Sequence, residues 1–305
     1  MRALLVVNPK ATDTTPRARD VLAHALASET RLEVVETKAG GHATELAAAA
    51  VGEFDVVAAL GGDGTVNEVV NGLLAHGPRE GLPALAVVPG GGANVFARAL
   101  GLPDSPVEAT SILLDALRGE RRRTIGLGLA DDRWFTFSAG LGLDADVVRR
   151  VAVRRAGGRG ASPSLYVREG LRQFFLHTGR RDPRLVLERP GAEPVPLALA
   201  LVCNTAPWTY FGRRPIDPCP RASFDTGLDV FGLRRLGTLS TLRHLRQILA
   251  SPPRPHGRRV LAVHDAAELV LSSRVPLPFQ LDGEDVGDRS RVRFRGVPAA
   301  LSVVV

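Results

Sequence analysis

Residues 59–72 read ALGGDGTVNEVVNG, and this stretch limits the possible folds more than any other. An apolar run enters three glycines that carry one carboxylate, and a pattern of helical period follows at once. That is the signature of a buried strand turning sharply into a helix at its carboxyl end. Gly61, Gly62 and Gly64 remove Cβ atoms, so the backbone can approach a ligand closely. A helix opening near Val66 would aim N–H groups at the turn, an arrangement that attracts phosphate. Asp63 would repel phosphate unless a Mg²⁺ ion or a sugar hydroxyl lay between them. Thr65 can cap the helix or donate to a phosphate, and Asn67 and Glu68 can order the loop. The plainer alternative is a glycine-rich turn with Asp63 and Thr65 as competing caps.

The surrounding pattern extends this unit. Strands are expected at 3–7, 31–36, 55–60 and 84–88, with helices at 16–27, 42–51, 66–75, 94–100 and 107–118 between and after them. Short joins between alternating strands and helices imply a mostly parallel sheet covered on both faces. A second glycine turn, PGGGANVFARALG at 89–101, follows the next strand and carries Gly91, Gly92 and Asn94. Two adjacent strand ends thus form one phosphate-facing rim. VVNPKA at 6–11 adds Asn8, and the segment from Thr37 through KAGGHA adds a fourth element. Neither lysine follows a glycine in a Walker-type P-loop, and the dinucleotide fingerprint spacing is absent.

Beyond GERRR at 119–123, read as polar punctuation, the segments become shorter and more strand-like. They predict an antiparallel β-rich domain with helical insertions at 163–177 and 239–250 and loops at 157–162 and 252–259. The division expected is 1–123 and 124–305, with the last strand able to pack back on the first domain. No apolar run approaches the length of a membrane span. MRALLVVNPK reads as a first strand rather than a signal peptide. Cys203 and Cys219 have no metal-ligand spacing and suit a reducing cytoplasm. The net charge of +7 comes almost wholly from arginine, since Lys10 and Lys38 are the only lysines. It suits a nucleotide or an anionic membrane better than nucleic acid, because aromatics are sparse.

Taken as an ordered set, GGDGTVNEVVNG and PGGGANVFARALG resemble the diacylglycerol kinase catalytic family, and more closely its bacterial soluble lipid kinases. VVNPKA, TKAGGHATELA, FSAGLGLDADVV, SFDTGLDVFGL and LDGEDVG are similar to further motifs of that family. The resemblance implies an α/β N-terminal domain of the NAD kinase and phosphofructokinase type, followed by an antiparallel β-sandwich. It implies ATP- and Mg²⁺-dependent phosphorylation of a lipid hydroxyl, with diacylglycerol as the default substrate and sphingoid or ceramide-type lipids as alternatives. Carried over by position, nucleotide contacts fall on Asn8, Pro9, Lys10, Thr37, the run Gly62, Asp63, Gly64, Thr65, Val66, Asn67 and Glu68, and on Gly92. Catalytic roles fall on Asp63 and on Glu284 as the general base. A base is chemically required, because a lipid hydroxyl must lose its proton as it attacks phosphorus. The LDGED segment also reads simply as a hairpin turn.

The family's structural metal site maps onto Ser223, Asp225 and Leu228 or Thr226, with a local turn at Asp225 as the alternative. Asp63 is the expected ligand near the phosphates. Gly92 replaces a threonine, and Val95 and Thr124 replace aspartates of the family pattern, so a thinner metal site is expected. Asp144 and Asp146 could reach a cleft, or Asp144 could cap a helix. Trp208, Tyr210 and Phe211 suit a lipid-contacting lip or a core. Arg149, Arg150, Arg154, Arg155 and Arg159 suit an anionic surface or a solvated helix face. A cytoplasmic enzyme transiently at the inner membrane face, with homodimer formation open, is the resulting expectation. An NAD kinase-like soluble kinase and a non-catalytic nucleotide- or lipid-binding protein are the competing readings.

Overall fold

The computed structural model describes residues 1–12, 14–156 and 184–305. It divides into two compact units, Met1–Leu127 with Pro298–Val305, and Gly128–Val297.

The first unit alternates β1 (Arg2–Val7), α1 (Pro16–Ala27), β2 (Arg31–Glu36), α2 (His42–Ala49), β3 (Val56–Gly61), α3 (Asp63–Leu73) and β4 (Ala84–Pro89). Helices α4 (Val95–Ala99) and α5 (Pro106–Arg118) complete it. The strands pair in parallel in the order β2-β1-β3-β4, and Val303 of the returning chain pairs in parallel with Leu85. Every residue of β3 and of β4 is buried, which is why both strands are continuous apolar runs instead of alternating ones. Leu5, Val7, Leu60 and Val88 pack with Leu22, Leu26 and Leu113 from the helices. The helix starts differ in a telling way. At α5 the Ser105 hydroxyl accepts the Glu108 N–H and Pro106 occupies the first turn, so that end is closed locally. At α2, α3 and α4 the N-cap residue makes no such side-chain bond.

The second unit holds β6 (Arg133–Phe135), β7 (Ser138–Leu141), α6 (Leu143–Ala156), β8 (Leu185–Arg189), β9 (Ala192–Leu197) and β10 (Leu199–Cys203). After β11 (Thr209–Phe211) and β12 (Arg214–Ile216) come β13 (Leu228–Leu233), α7 (Thr238–Ile248), β14 (Val260–Ala266) and β15 (Glu268–Leu281). Strand β5 (Arg122–Ala130) leads into this unit and β16 (Glu284–Val304) leads out of it. Here the order is β14-β13-β10-β7-β15-β16, all antiparallel, with β8 joining β15 to β9. Phe294 meets Phe135 and Phe279 edge-on, with ring centroids 6.2 and 6.1 Å away. The Phe135 ring lies flat against Gly128, where an added Cβ would come within 2.1 Å of it.

Several expected boundaries move. Residues 119–121 are the turn that ends α5, and β5 begins inside the GERRR segment, at Arg122, and runs nine residues. The short strand-like segments expected in the second domain include two long strands, β15 of 14 residues and β16 of 21. Charged and polar residues interrupt their apolar pattern, and the β15–β16 pairing resumes beyond Ser272 after a shift of register. The helix expected from Val66 opens three residues earlier, at Asp63. The helix at 163–177, the loop at 157–162, Arg159 and the side chains of Arg154 and Arg155 lie outside the described residues. Among the described residues, no helix is long and apolar enough to cross a membrane.

Candidate phosphate site and catalytic turn

The two glycine turns of the first unit lock together. Gly62 closes β3 in extended conformation and α3 starts immediately. A Cβ on Gly91 would lie 2.6 Å from the Gly62 Cα, so backbone meets backbone at a distance that only glycine allows. Gly61 faces Thr65, whose Oγ1 would be 2.6 Å from a Cβ there. Asn94, at φ 47°, pins the second turn: its Oδ1 accepts the Gly91 N–H at 2.9 Å, and its amide donates to Gly91 O and Asp104 Oδ1, each at 2.7 Å.

Asp63 ties the turns electrostatically. Its carboxylate accepts the main-chain N–H groups of Val95 (3.1 Å) and Phe96 (3.0 Å), so a side chain in α3 caps α4. The N-cap residue of α3 itself, Gly62, has no side chain to cap its helix. The sequence pattern shows a carboxylate at a helix start but not that its partner is the next helix.

Around this seam lies a recess of ≈ 150 Å³ lined by Asn8, Lys10, Thr37, Lys38, Thr65 and Glu68, with Ala39, Gly40 and Ala43. Asn8 organises its floor. Its amide donates to Thr65 Oγ1 at 3.0 Å, and its Oδ1 accepts the Lys10 N–H at 3.0 Å, folding the chain around Pro9. Glu68 holds the opposite wall: its two oxygens accept the N–H groups of Gly41 (2.9 Å) and Ala43 (3.1 Å). Glu68 therefore orders the neighbouring loop at the start of α2. His42 contributes by accepting the Lys38 N–H on Nδ1 at 3.1 Å.

Both lysines of the chain line this one recess, although 39 residues are Lys or Arg. A compact ammonium on a flexible stem suits a point contact to phosphate. Lys38 was not singled out by motif; the scarcity of lysine in an arginine-rich chain was the available signal. Thr14 lies two residues before α1. Its Oγ1 is buried beside Gly90 with no hydrogen-bond partner among the described residues, leaving a polar atom for a ligand to satisfy. Three expected contacts lie differently. Val66 packs in the core and its N–H goes to Gly62 O, Asn67 is buried and bonds Asn71, and Asn94 is the internal pin just described. Gly92 is exposed, with nothing within 4 Å of a Cβ added there.

In the second unit, LDGED forms the hairpin between β15 and β16. Leu281 pairs with Glu284, and the two loop residues Asp282 and Gly283 have φ 50° and 78°, the left-handed pair of a type I′ turn. The hairpin reading therefore holds, and it sets Glu284 at the first residue of β16. Asp282 is anchored deeply. Its carboxylate accepts the N–H groups of Thr136 (2.7 Å), Phe137 (2.9 Å) and Ser138 (3.1 Å), and the Thr136 hydroxyl at 2.9 Å. Gln280 supports the turn from below. Its Oε1 accepts the Gly283 N–H at 2.9 Å, and its Nε2 donates to Asp144 at 2.7 Å. Loss of water around Asp144 raises its carboxyl to about 6, against the opposing pull of the Gln280 amide. Glu284 itself is 46% exposed in its side chain, with Arg133 at 3.7 Å.

Other expected features resolve locally. Ser223 Oγ accepts the Asp225 N–H at 3.0 Å, and Ser223 O accepts both the N–H and the hydroxyl of Thr226 at 3.2 Å. These bonds form a turn built on Ser223 rather than on the Asp225 carboxylate, and Leu228 opens β13. Among the described residues, no group of three or more His, Cys, Asp or Glu side chains is placed to hold a metal. Arg149 is held by ion pairs within its own unit. It binds Asp285 at 2.8 Å and Asp288 at 2.6 Å. Trp208 packs against the cluster of Leu201, Cys203, Cys219 and Phe231, and so serves the core.

A parallel α/β unit with glycine turns at its strand ends, joined to an antiparallel β unit, is the architecture that the comparisons also find. Residues 2–128 match the diacylglycerol kinase catalytic domain. A "Probable lipid kinase YegS-like" of Chromohalobacter salexigens is 36% identical over 286 residues, spanning 92% of this chain and 86% of that one. Another of the same description, from Stenotrophomonas maltophilia, is 30% identical over 96% of this chain and 93% of its own. A "Diacylglycerol kinase" of Bacillus subtilis is 42% identical over 108 residues, which is 35% of this chain and only 33% of that protein's length. The solved structure of a diacylglycerol kinase from Bacillus anthracis shares the fold, with TM-score 0.71 and 20% identity over 99% of this chain and 96% of that one. An NAD kinase from Archaeoglobus fulgidus, solved in complex with ATP, shares it more distantly, at TM-score 0.53 and 11% identity over 100% and 94%. The chain belongs to the diacylglycerol kinase catalytic family of lipid kinases.

Proposed function

We propose that the protein transfers the γ-phosphoryl group of ATP to a lipid hydroxyl, with diacylglycerol as substrate, in the cytoplasm and at the inner face of the membrane. The observation that carries this reading is the gathering of both lysines with Asn8, Thr37 and Thr65 in one recess beside two interlocked glycine turns. Main-chain N–H groups, hydroxyls and ammonium groups are the donors a polyphosphate requires. In this reading the phosphates lie along Gly62, Gly64, Gly91 and Gly92, with Lys10 and Lys38 as counter-charges and Thr14 Oγ1 as a further donor. Asp63 would hold the accompanying Mg²⁺, since it is the carboxylate that joins the two glycine turns, and the ion would neutralise developing phosphate charge.

Glu284 acts as the base. It accepts the hydroxyl proton as the lipid oxygen bonds to the γ-phosphorus and the bond to the β-phosphate oxygen breaks, releasing ADP. Asp282 and Gln280 hold its turn rigid, so the carboxylate is presented without a search through loop conformers. The test is transfer from labelled ATP to a panel of diacylglycerol, ceramide and sphingoid lipids. Mg²⁺-dependent labelling of diacylglycerol, lost in Glu284→Gln, is expected. Labelling of a different lipid would move the substrate, and undiminished transfer by Glu284→Gln would remove that residue from its role.

A further inference from the structure

Helix α7 inverts the usual arrangement of an amphipathic surface helix. His244 is buried at 5% exposure and Ile248 packs on the core cluster, so those positions face inward. Leu242 and Leu245 point outward, 50% and 44% exposed. With Arg246 and Leu249 they form a stripe at i, i+3, i+4 and i+7 on the solvent side. The same residues, with Arg214 and Ala250, line an open recess of ≈ 420 Å³. Arg214 donates to the Leu249 carbonyl and so steadies the end of the helix.

The charge around this stripe is one-sided. Between Asp229 and Asp265 the sequence has seven arginines and no carboxylate. Arg234, Arg235, Arg243, Arg246, Arg254 and Arg258 are exposed, and among the described residues none of them forms an ion pair. Exposed leucines flanked by arginines describe a helix that lies in the interface of an anionic bilayer. The leucines enter the acyl boundary while the guanidinium groups meet headgroup phosphates. A second copy fits poorly, because pairing these faces would bring two arginine-rich surfaces together. Nucleic acid fits poorly, because leucines occupy the centre of the face and stacking aromatics do not.

We infer that the outer face of α7, centred on Leu242 and Leu245 and ringed by Arg243, Arg246 and Arg254, docks the protein on anionic lipid bilayers. This deepens the lipid-kinase reading and rests on it for the surface the enzyme must visit. The test is sedimentation of the full chain with vesicles of equimolar phosphatidylcholine and phosphatidylglycerol, against vesicles of phosphatidylcholine alone. Binding to the anionic vesicles, weakened by salt, is expected to fall about tenfold or more in the Leu242→Glu/Leu245→Glu variant. Arg243→Gln and Arg246→Gln should each weaken it about fivefold. Unchanged thermal melting would show that these exposed substitutions leave the fold intact. Equal binding by wild type and the leucine variant, or no binding to anionic vesicles, would overturn the proposal. So would self-association that the leucine variant abolishes in a protein that ignores vesicles. Transfer to a dispersed short-chain diacylglycerol separates the two readings. Vesicle binding without any transfer supports docking and sinks the kinase reading, whereas transfer without vesicle binding sinks docking alone.

Discussion

Asp63 accepts the main-chain N–H of Phe96 at 3.0 Å, joining residues 33 positions apart and making one glycine turn the cap of the helix that follows the other. The same carboxylate takes the Val95 N–H. Val95 stands where the family pattern carries an aspartate, so α4 offers Asp63 a donor and no second carboxylate. Removing the Asp63 side chain should therefore loosen both turns. Asp63→Ala is expected to cost about 1–2 kcal/mol of stability, as loss of a good helix cap does. Asp63→Asn keeps one acceptor oxygen and should recover part of that stability without recovering Mg²⁺-dependent ATP binding. Urea unfolding and nucleotide titration with and without Mg²⁺ separate the two effects.

The glycines of the second turn should not be equivalent. Gly91→Ala drives a methyl group to 2.6 Å from the Gly62 Cα, and backbone there cannot yield cheaply. We expect a loss of about 1–3 kcal/mol together with weaker ATP binding. Gly92→Ala adds its methyl group to open space and should leave stability nearly unchanged. Thermal melts of the pair, side by side, check the contrast.

Lys38 should matter to the nucleotide and not to the fold, because its side chain is exposed at the recess. Lys38→Ala is expected to weaken ATP binding by about 1.5–3 kcal/mol, the range for a hydrogen bond to a charged group. Lys38→Arg should restore only part of it, since a planar fork replaces a point charge. Titration calorimetry reads both.

The turn that carries Glu284 should have a pH signature through Asp144. Its carboxyl lies near 6 in the folded chain against an ordinary 3.8, raised first by desolvation. Between these values the folded state holds the proton more tightly than the unfolded one. Stability should then be highest below the ordinary value and fall as pH rises through about 6, by on the order of 2 kcal/mol. Asp144→Asn, which can still accept from Gln280, should flatten that slope. Unfolding in urea at pH 4.5 and pH 7 is the measurement.

Much of the first unit was legible because short-range chemistry dictated it. The apolar runs of β1, β3 and β4 are buried, and the glycines between strand and helix exclude other local structure. Strand β2 and helix α1 lie where periodicity and Pro16 place them. The second unit was less readable. Residues such as Arg122 and Arg289 sit inside strands that no local pattern announces, because pairing with distant neighbours, not their own propensity, holds them extended. Helix α6 is legible only as the helix that Asp144 could cap and on whose face the arginines could lie, since arginines dilute its apolar period.

By itself the amino-acid order determined the strand–glycine–helix junctions, the Asp-Gly hairpin beside Glu284 and the family, since each depends on residues close together in the chain. The tertiary structure alone decided which partners those residues take. Asp63 turned to α4, Glu68 to the loop before α2, Asp282 to residues 136–138 and Arg149 to Asp285 and Asp288. A buried or half-buried charge must find donors wherever the packed chain supplies them, and that choice is made by contacts separated by tens of residues in sequence.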